Sequence, residues 1–318
     1  MAVFLRLFAA SLLLLAAAAP SWAISSNAGT SAAQFLKLGA GSRAGAMGEA
    51  YSAVADDIYS VYYNPAGLTH MTKSAMAASH TELFQDINYE FAAFAYPMGR
   101  EEDHSKHVIA GSIYTLSVTG IERRSGDSND PVGSFNAGDY AYNISYGRYM
   151  NKQLRLGATG KLISQSIDSY AGTAFAFDGG LLYEPRPSME RKLKLSLVVR
   201  NVGSPQSFAG ESDPLPLAVV GGVGYEVLPK TMILDLDVTK YRDTDAIIGF
   251  GTEYRRAIDE NIGGALRLGF NTHRTDNEGL TEVTAGAGLR FHRASFDFSW
   301  VPFGELGNTF RYTLQIQF

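Results

Sequence analysis

The sequence predicts an all-β protein: a 14-stranded antiparallel transmembrane β-barrel with a short helical N-terminal plug. Three observations lead to this prediction. The chain begins with a secretory signal and contains no cysteine. Most of it alternates apolar and polar residues with a period of two, as expected for strands with two different faces. Most of the alternating segments have 9 to 13 residues. A tilted strand needs about 9–11 residues to cross a bilayer, so these segments are long enough.

The first 23 residues have the organisation of a secretory signal peptide. Arg6 provides the positive charge, Leu7–Ala19 is almost entirely apolar, and Ser21-Trp22-Ala23 has the small-x-small form of a cleavage site. The alternative is a membrane anchor, which needs about 20 apolar residues. This run is shorter and ends at Pro20, so we predict cleavage after Ala23.

The composition excludes several classes of protein. The absence of cysteine rules out a lipid-anchored lipoprotein, disulfides and thiol chemistry. Acidic residues (32) outnumber Lys and Arg (27) and no basic run occurs, so a nucleic-acid partner is not expected. Charged residues make up 19%, against roughly 25% in soluble domains, while the chain has 33 glycines and 12% aromatic residues. This balance favours a β-rich protein outside bulk water.

The C-terminus shows the alternation most clearly. In NTFRYTLQIQF, the apolar residues Phe310, Tyr312, Leu314, Ile316 and Phe318 alternate with polar ones. The same period predicts fourteen strands. Their predicted ranges are 74–83, 87–98, 107–122, 138–150, 154–168, 173–184, 193–202, 215–227, 232–242, 246–256, 262–273, 281–291, 293–301 and 309–318.

The connections also fit a membrane barrel. With the N-terminus in the periplasm, short turns such as Asn151–Gln153 lie on the periplasmic side. Longer polar loops lie on the outer side, which is the pattern of outer-membrane barrels. These outer loops are Arg123–Ala137, Gly203–Pro214 and Arg274–Leu280.

Alternation alone does not decide which face of the strands meets lipid, and a soluble exported β-protein is the alternative. The export signal, the strand length and aromatic residues near strand ends favour the membrane barrel, with its apolar face outward. The polar face then lines the lumen, where charges of both signs brace the wall or tune passage. These predicted lumenal charges are Asp178, Arg200, Asp235, Asp237, Arg267, Glu282, Arg290 and Arg311.

Residues 24–73 do not alternate and form a separate segment ahead of the barrel, which spans 74–318. Apolar residues at helical spacing predict short helices over Ala46–Asp57 and Ile58–Tyr63, ending at Asn64-Pro65. A fourteen-stranded barrel is too wide for its own side chains to fill, so we expect this segment to plug the lumen. A periplasmic cap or leader is the alternative.

Two acidic residues in this segment, Asp56 and Asp57, have two readings. They cap or flank a helix, or one of them bridges to a lumenal arginine and latches the plug. The latch is a hypothesis.

The run GAGSRAGAMGEAYSAVADDIYSVYYNPAGL resembles the N-terminal signature of the FadL-like outer-membrane family, and is most similar to its PorV/PorQ branch. The C-terminal residues Tyr312, Leu314, Ile316 and Phe318 are similar to the assembly signal of outer-membrane barrels. The residues that carry the N-terminal resemblance are Gly41, Arg43, Ala44, Met47, Gly48, Ala50, Ala55, Asp56, Asp57, Asn64, Pro65, Ala66 and Gly67.

The resemblance implies a bacterial outer-membrane protein with an N-terminal hatch and leaves two functions open. One is passive transport of small hydrophobic solutes, and the other is a type IX secretion component that docks exported cargo. The implied partners are outer-membrane lipid, the barrel-assembly machinery, and a hydrophobic small molecule or secreted proteins. The sequence has no G-x-S-x-G, H-E-x-x-H or phosphate-binding loop, so we expect no enzyme activity, metal or cofactor.

Overall fold

The computed structural model describes residues 29–84, 87–102, 105–127, 130–188, 192–208, 210–274 and 281–318. Fourteen strands form a closed antiparallel barrel, and two short strands form a separate hairpin. The predicted signal peptide, residues 1–23, lies outside the described residues.

The barrel strands follow one another around the wall in chain order, and β1 also pairs with the last strand to close it. In order they are β1 (Ala75–Glu82), β2 (Asn88–Met98), β3 (His107–Arg123), β4 (Gly133–Tyr149), β5 (Leu154–Ile167), β6 (Tyr170–Tyr183), β7 (Leu193–Gly203), β10 (Ala218–Leu228), β11 (Met232–Tyr241), β12 (Ala246–Ala257), β13 (Ile262–Asn271), β14 (Val283–Phe291), β15 (Ala294–Pro302) and β16 (Asn308–Gln317). The hairpin between β7 and β10 consists of β8 (Gln206–Phe208) and β9 (Glu211–Asp213).

The two ends of the barrel differ in their connections. Ala75 pairs with Gln317, so β1 begins and β16 ends at the same end, which we call the turn end. Short connections such as 229–231 and 292–293 lie there. The opposite loop end carries the longer connections 124–132 and 204–217.

The apolar face of the wall points outward. In β16, Arg311 and Thr313 are buried inside the barrel, whereas Phe310, Tyr312 and Leu314 are exposed on its outer surface. A soluble barrel would bury its apolar face, so the soluble alternative is wrong. The fold is a transmembrane β-barrel, as predicted, because only lipid favours an apolar exterior around a polar lumen.

The observed strands follow the predicted ranges closely, except at one hairpin. The predicted outer loop Arg123–Ala137 is wrong over part of its length, because β3 and β4 stay paired as far as Arg123 and Gly133. Polar residues and a bulge between Val118 and Ile121 hid this continuation from the period-two pattern. Gly203–Pro214 contains the β8–β9 hairpin, and Arg274–Leu280 lies largely outside the described residues.

The helices of the N-terminal segment are shorter than predicted. They are the α-helices Ser42–Ala46 and Ser60–Tyr63 and the 3₁₀ helices Gln34–Lys37 and Pro65–His70. Two further 3₁₀ turns, Thr272–Arg274 and Gly304–Leu306, lie in loops.

The predicted helix over Ala46–Asp57 is wrong. Gly48 and Glu49 both have positive φ, of 65° and 61°, and a helix cannot continue through the left-handed region. The chain beyond Ala46 therefore proceeds in turns, although the apolar residues at helical spacing are still buried.

Among the described residues, no helix is both long and apolar enough to cross a membrane.

Glycines in the wall make room for the N-terminal segment. A Cβ on Gly251 would lie 2.6 Å from the Cβ of Met47, and one on Gly224 would lie 2.7 Å from a methyl group of Val54. Similar close approaches occur on seven strands, which explains part of the high glycine content. The wall glycines in contact with the segment are Gly147, Gly157, Gly180, Gly222, Gly224, Gly249, Gly251, Gly269 and Gly286.

Replacing one such glycine should displace the segment while leaving the barrel intact. In Gly157→Val, the new side chain would collide with the backbone of Pro65 and Ala66, at a cost of about 1–3 kcal/mol. We expect residues 31–71 to become more sensitive to limited proteolysis. Gly160→Val on the same strand is the matched control, because a Cβ there meets only Phe177, at 3.7 Å. Equal protease resistance of both variants would contradict the close fit.

Candidate functional site

The N-terminal segment fills the interior of the barrel. We call residues 31–71 the plug. Nearly every residue from Ala40 to Leu68 is buried. The wall therefore surrounds a lumen that is occupied by the chain itself.

The plug runs through the lumen from the loop end to the turn end. At its start, the Ala32 N–H donates to the carbonyl of Pro214, in a loop-end connection. Lys37 Nζ lies 2.7 Å from the Asp243 carboxylate, also at the loop end. At the far end of the plug, His70 meets Glu184 at the turn end, where β1 then begins. The polypeptide thus crosses the barrel inside before it builds the wall.

A buried ionic cluster joins the middle of the plug to the wall. The Arg43 guanidinium donates twice to Glu253 of β12, from Nε at 2.9 Å and from Nη2 at 3.0 Å. Arg43 Nη1 also lies 2.9 Å from Asp57 and contacts Asp56. The Tyr51 hydroxyl donates to Asp57 at 2.7 Å. We call Arg43, Asp56, Asp57 and Glu253 the latch cluster.

The main partner of the two plug carboxylates lies within the plug. Of the two readings of Asp56 and Asp57, the latch hypothesis put one of them on a lumenal arginine; Asp56 does lie 3.8 Å from Arg255 of the wall, but both carboxylates chiefly bind Arg43 of the plug itself. The wall contributes the carboxylate of Glu253, which is fully buried. The sequence analysis missed Glu253, although its inward position in β12 follows from the period of two.

Arginines of the wall complete the charge balance around Glu253. The predicted lumenal residue Arg267 donates to Glu253 at 2.6 Å and to Asp297 at 2.6 Å. Arg255 Nε lies 2.8 Å from Glu253, and a second nitrogen of Arg255 lies 3.8 Å from Asp56. Bidentate and charge-assisted hydrogen bonds of this kind are the stronger ones in proteins.

A second attachment involves the predicted lumenal residue Asp237. Its carboxylate accepts hydrogen bonds from the backbone N–H groups of Tyr51 and Ser52, at 2.9 and 2.8 Å, and from the Ser52 hydroxyl. The Ser52 hydroxyl also lies 2.6 Å from that of Ser196 on β7. Asp235, two residues along the same strand, is fully buried as well. The polar face of β11 thus binds a turn of the plug.

A third attachment surrounds Gly48. Its N–H donates to Thr284 at 3.0 Å, and its carbonyl accepts from Asn271 at 2.7 Å. Arg311 of β16 donates to the carbonyl of Gly39 and to the Glu49 carboxylate. Thr284 and Asn271 were not predicted, because uncharged polar residues on the inward face carry no distinctive signal.

The Asn64-Pro65-Ala66-Gly67 motif ends one helix and begins another. The Asn64 side chain accepts a hydrogen bond from the Ala66 N–H and so caps the 3₁₀ helix Pro65–His70. Its amide donates to the carbonyls of Ser52 and Leu181. Gly67 lies within that 3₁₀ helix, and a Cβ there would collide with the carbonyl of Ala55, so the position needs a small residue for close packing.

The remaining predicted site residues lie elsewhere. Asp178 is buried and its carboxylate lies 2.7 Å from Lys161, within the wall. Glu282 precedes β14 and is partly exposed, and Arg290 is exposed near the turn end. The four residues of the predicted assembly signal are exposed on the outer surface: Tyr312, Leu314, Ile316 and Phe318. Their role in assembly stays a prediction.

A cluster of polar groups closes the turn end. Burial lowers the pKa of His70, and this outweighs the opposing hydrogen bond to Glu184 at 3.1 Å. Burial acts to raise the pKa of Glu184, but the hydrogen bond and charge of His70, with the charges of Lys194 and Arg155, lower it to about 2. The Arg155 guanidinium also lies 3.3 Å from Glu101 in the β2–β3 turn.

Comparisons with known proteins give the fold a context. Residues 13–159 match the profile of a family described as "Uncharacterised protein family (UPF0164)". No curated protein matches the chain.

Three solved structures share the barrel. The toluene transporter TodX of Pseudomonas putida is 10% identical, with a TM-score of 0.54 over 87% of this chain and 96% of its own. The monoaromatic hydrocarbon channel CymD is 10% identical, with a TM-score of 0.60 over 88% and 98%. A Pseudomonas aeruginosa FadL homologue is 10% identical, with a TM-score of 0.51 over 85% and 95%. At these identities the likeness is one of fold, and the fold is that of FadL-type barrels.

Breaking the latch cluster should loosen the plug. Arg43→Gln leaves Asp56 and Asp57 facing each other without their guanidinium, and losing one partner of a buried pair costs about 3–5 kcal/mol. We expect a lower free energy of unfolding in denaturant titration and a higher ion conductance in planar bilayers.

Arg123→Gln is the control for this experiment. Arg123 pairs with Asp168 at 2.6 Å in a half-exposed position, and such pairs contribute about 0.2–1 kcal/mol. If the ion conductance of Arg43→Gln is no higher than that of Arg123→Gln, the latch cluster does not hold the plug in place.

Acidification should weaken the turn-end attachment of the plug. Both pKa values are lower in the folded protein than the ordinary values of 6.5 for His70 and 4.5 for Glu184, so the unfolded chain binds more protons. Stability should therefore fall as the pH drops below 6.5, with the Glu184 contribution lost between 4.5 and about 2. Hydrogen exchange of residues 65–70, corrected for intrinsic rates, would measure this. In His70→Gln, the change between pH 7.5 and 5.5 should disappear.

Proposed function

We propose that the protein is a bacterial outer-membrane barrel through which small hydrophobic solutes pass passively, with the plug as its gate. Export by the predicted signal peptide, residues 1–23, would bring the chain to that membrane. The apolar exterior and the fold shared with a toluene transporter and a hydrocarbon channel support this proposal. These fold relatives are transporters and channels, which also supports a role without catalysis.

The observation that carries the proposal is the occupied lumen. The plug fills the barrel, so a solute can pass only if part of the plug moves. Polar contacts and ion pairs hold the plug to the wall, and the wall opposite its backbone is largely glycine. Where the wall carries glycine, it offers no side chain that interlocks with the plug. Elsewhere the plug and the wall share a hydrophobic core, as in the ring contact of Tyr59 with Phe91 at 5.1 Å between centroids. Displacement of the plug would therefore break polar contacts and part of this core.

The alternative is a PorV-like component of the type IX secretion system that docks exported cargo. It would require a binding surface at the loop end. The β3–β4 hairpin is the observation in its favour, because its two strands have 17 residues each and no other strand in the described part of the chain exceeds 14. Purification from outer membranes distinguishes the two proposals: co-purified secretion subunits would contradict the simple transporter.

An engineered disulfide tests the gate directly. The chain has no cysteine, and the hydroxyls of Ser52 on the plug and Ser196 on the wall lie 2.6 Å apart. Two cysteines at these positions could form a bond of about 2.05 Å with little movement. In Ser52→Cys/Ser196→Cys, we expect uptake of radiolabelled toluene by cells to stop under oxidising conditions and to return with a reductant.

The matched control links two strands of the wall. Ser145 of β4 and Thr159 of β5 lie 2.8 Å apart and are likewise buried. Ser145→Cys/Thr159→Cys should take up toluene equally well in both redox states. Undiminished uptake by cells with the oxidised plug–wall variant would rule out gating by the plug. If no variant gave uptake above that of cells without the protein, transport of this solute would be ruled out.

A further inference from the structure

A cavity of about 110 Å³ lies at the loop end of the lumen, between the plug and the wall. Tyr62 and Tyr63 line it from the plug, and Arg200, Tyr241 and Arg311 line it from the wall. The cavity is distinct from the latch cluster, none of whose members lines it. Its lining is mainly aromatic and charged, with Leu38 and Ile247 as aliphatic members.

Arg200 is a buried cation that makes no ion pair in the described part of the chain, although the Asp178 carboxylate is near enough for its charge to act on it. The residue is 7% exposed, and the described residues provide it with no hydrogen bond or ion pair. Its guanidinium lies over the ring of Tyr62, 5.2 Å from the centroid. Buried charges in proteins are normally paired, because removing an ion from water is costly. An unpaired arginine beside a cavity therefore points to a partner that occupies the cavity.

The other charges around the cavity are already bound. Lys37 is paired with Asp243 and Arg311 with Glu49. Asp237 accepts three hydrogen bonds from the plug. Asp178, on the strand next to that of Arg200, is paired with Lys161. Three basic residues in the described part of the chain line the cavity: Lys37, Arg200 and Arg311. Of these three, only Arg200 has no ion pair with a carboxylate.

A second donor faces the same cavity. The hydroxyl of Tyr63 is buried and has no hydrogen-bond partner among the described residues. A carboxylate between Arg200 and Tyr63 would accept hydrogen bonds from both groups. An arginine pairs well with a carboxylate because its planar fork matches the two oxygens.

We propose that this cavity binds a small monoanionic carboxylate, with Arg200 as the ion-pair partner and Tyr63 as a hydrogen-bond donor. A cavity of roughly 150 Å³ holds benzene, which has six non-hydrogen atoms, so about 110 Å³ suits a ligand of about four, the size of acetate. Glu49 and Asp237 line the same cavity, and their charges disfavour a dianion such as phosphate. The inference goes beyond the passage of hydrophobic solutes, because a neutral hydrocarbon cannot neutralise Arg200.

Saturation-transfer NMR on the purified barrel in detergent tests the site, with acetate as the probe at constant ionic strength. We expect acetate to bind, with phosphate and chloride binding more weakly. Arg200→Gln should weaken acetate binding by roughly 10- to 100-fold, as for a lost charge-assisted hydrogen bond. Tyr63→Phe should weaken it by roughly 2- to 10-fold.

Arg256→Gln is the control, since Arg256 does not line the cavity. Heat-modifiable migration in electrophoresis shows whether each variant has folded. If Arg200→Gln does not fold, acetate binding by Tyr63→Phe tests the site instead. The Tyr63 hydroxyl has no hydrogen-bond partner among the described residues, so its removal should leave the fold intact.

Three outcomes would overturn the carboxylate site: no acetate binding, equal binding by Arg200→Gln, or tighter binding of phosphate. These results are independent of toluene uptake, so the site and the proposed transport can fail separately.

Discussion

The width of a fourteen-stranded barrel is the constraint on which the rest of this structure depends. Such a wall encloses more space than its own inward side chains can fill. Here the N-terminal segment occupies that space, so the wall must give up side chains where the segment touches it. The glycines on seven strands make the space that the turns of the plug occupy.

Filling the lumen with polypeptide creates a second problem, because the plug brings backbone polar groups and charges out of water. The structure answers with inward polar side chains on the wall. Glu253 balances the charges of Arg43 and Arg267, while Asp237 and Thr284 accept backbone N–H groups of the plug. Polar attachment of this kind fixes the position of the plug against the wall. It acts together with a hydrophobic core that plug and wall share, in which Tyr59 and Tyr62 of the plug pack with Phe91 and Tyr114 of the wall.

Beyond the middle of the plug, the two ends of the lumen have different chemistry. The turn end is closed by His70 and Glu184, whose protonation depends on pH. The loop end contains the aromatic cavity with the unpaired Arg200. A solute that enters from the loop end would meet this cavity before it reaches the latch cluster.

The sequence by itself determined the strands of the lipid-facing wall, because a period of two is a local property, although it missed the outer extension of β3 and β4 beyond the bulge. It also determined that Asp178, Arg200, Asp237 and Arg267 point inward, since strand parity assigns a face to each residue. Only the tertiary structure decided which groups meet. Arg43 and Glu253 are 210 residues apart, and no local pattern relates them. The helix expected over Ala46–Asp57 failed for the same reason. Its apolar spacing was real, but the close approach of Gly48 to the wall imposed a backbone that a helix cannot adopt.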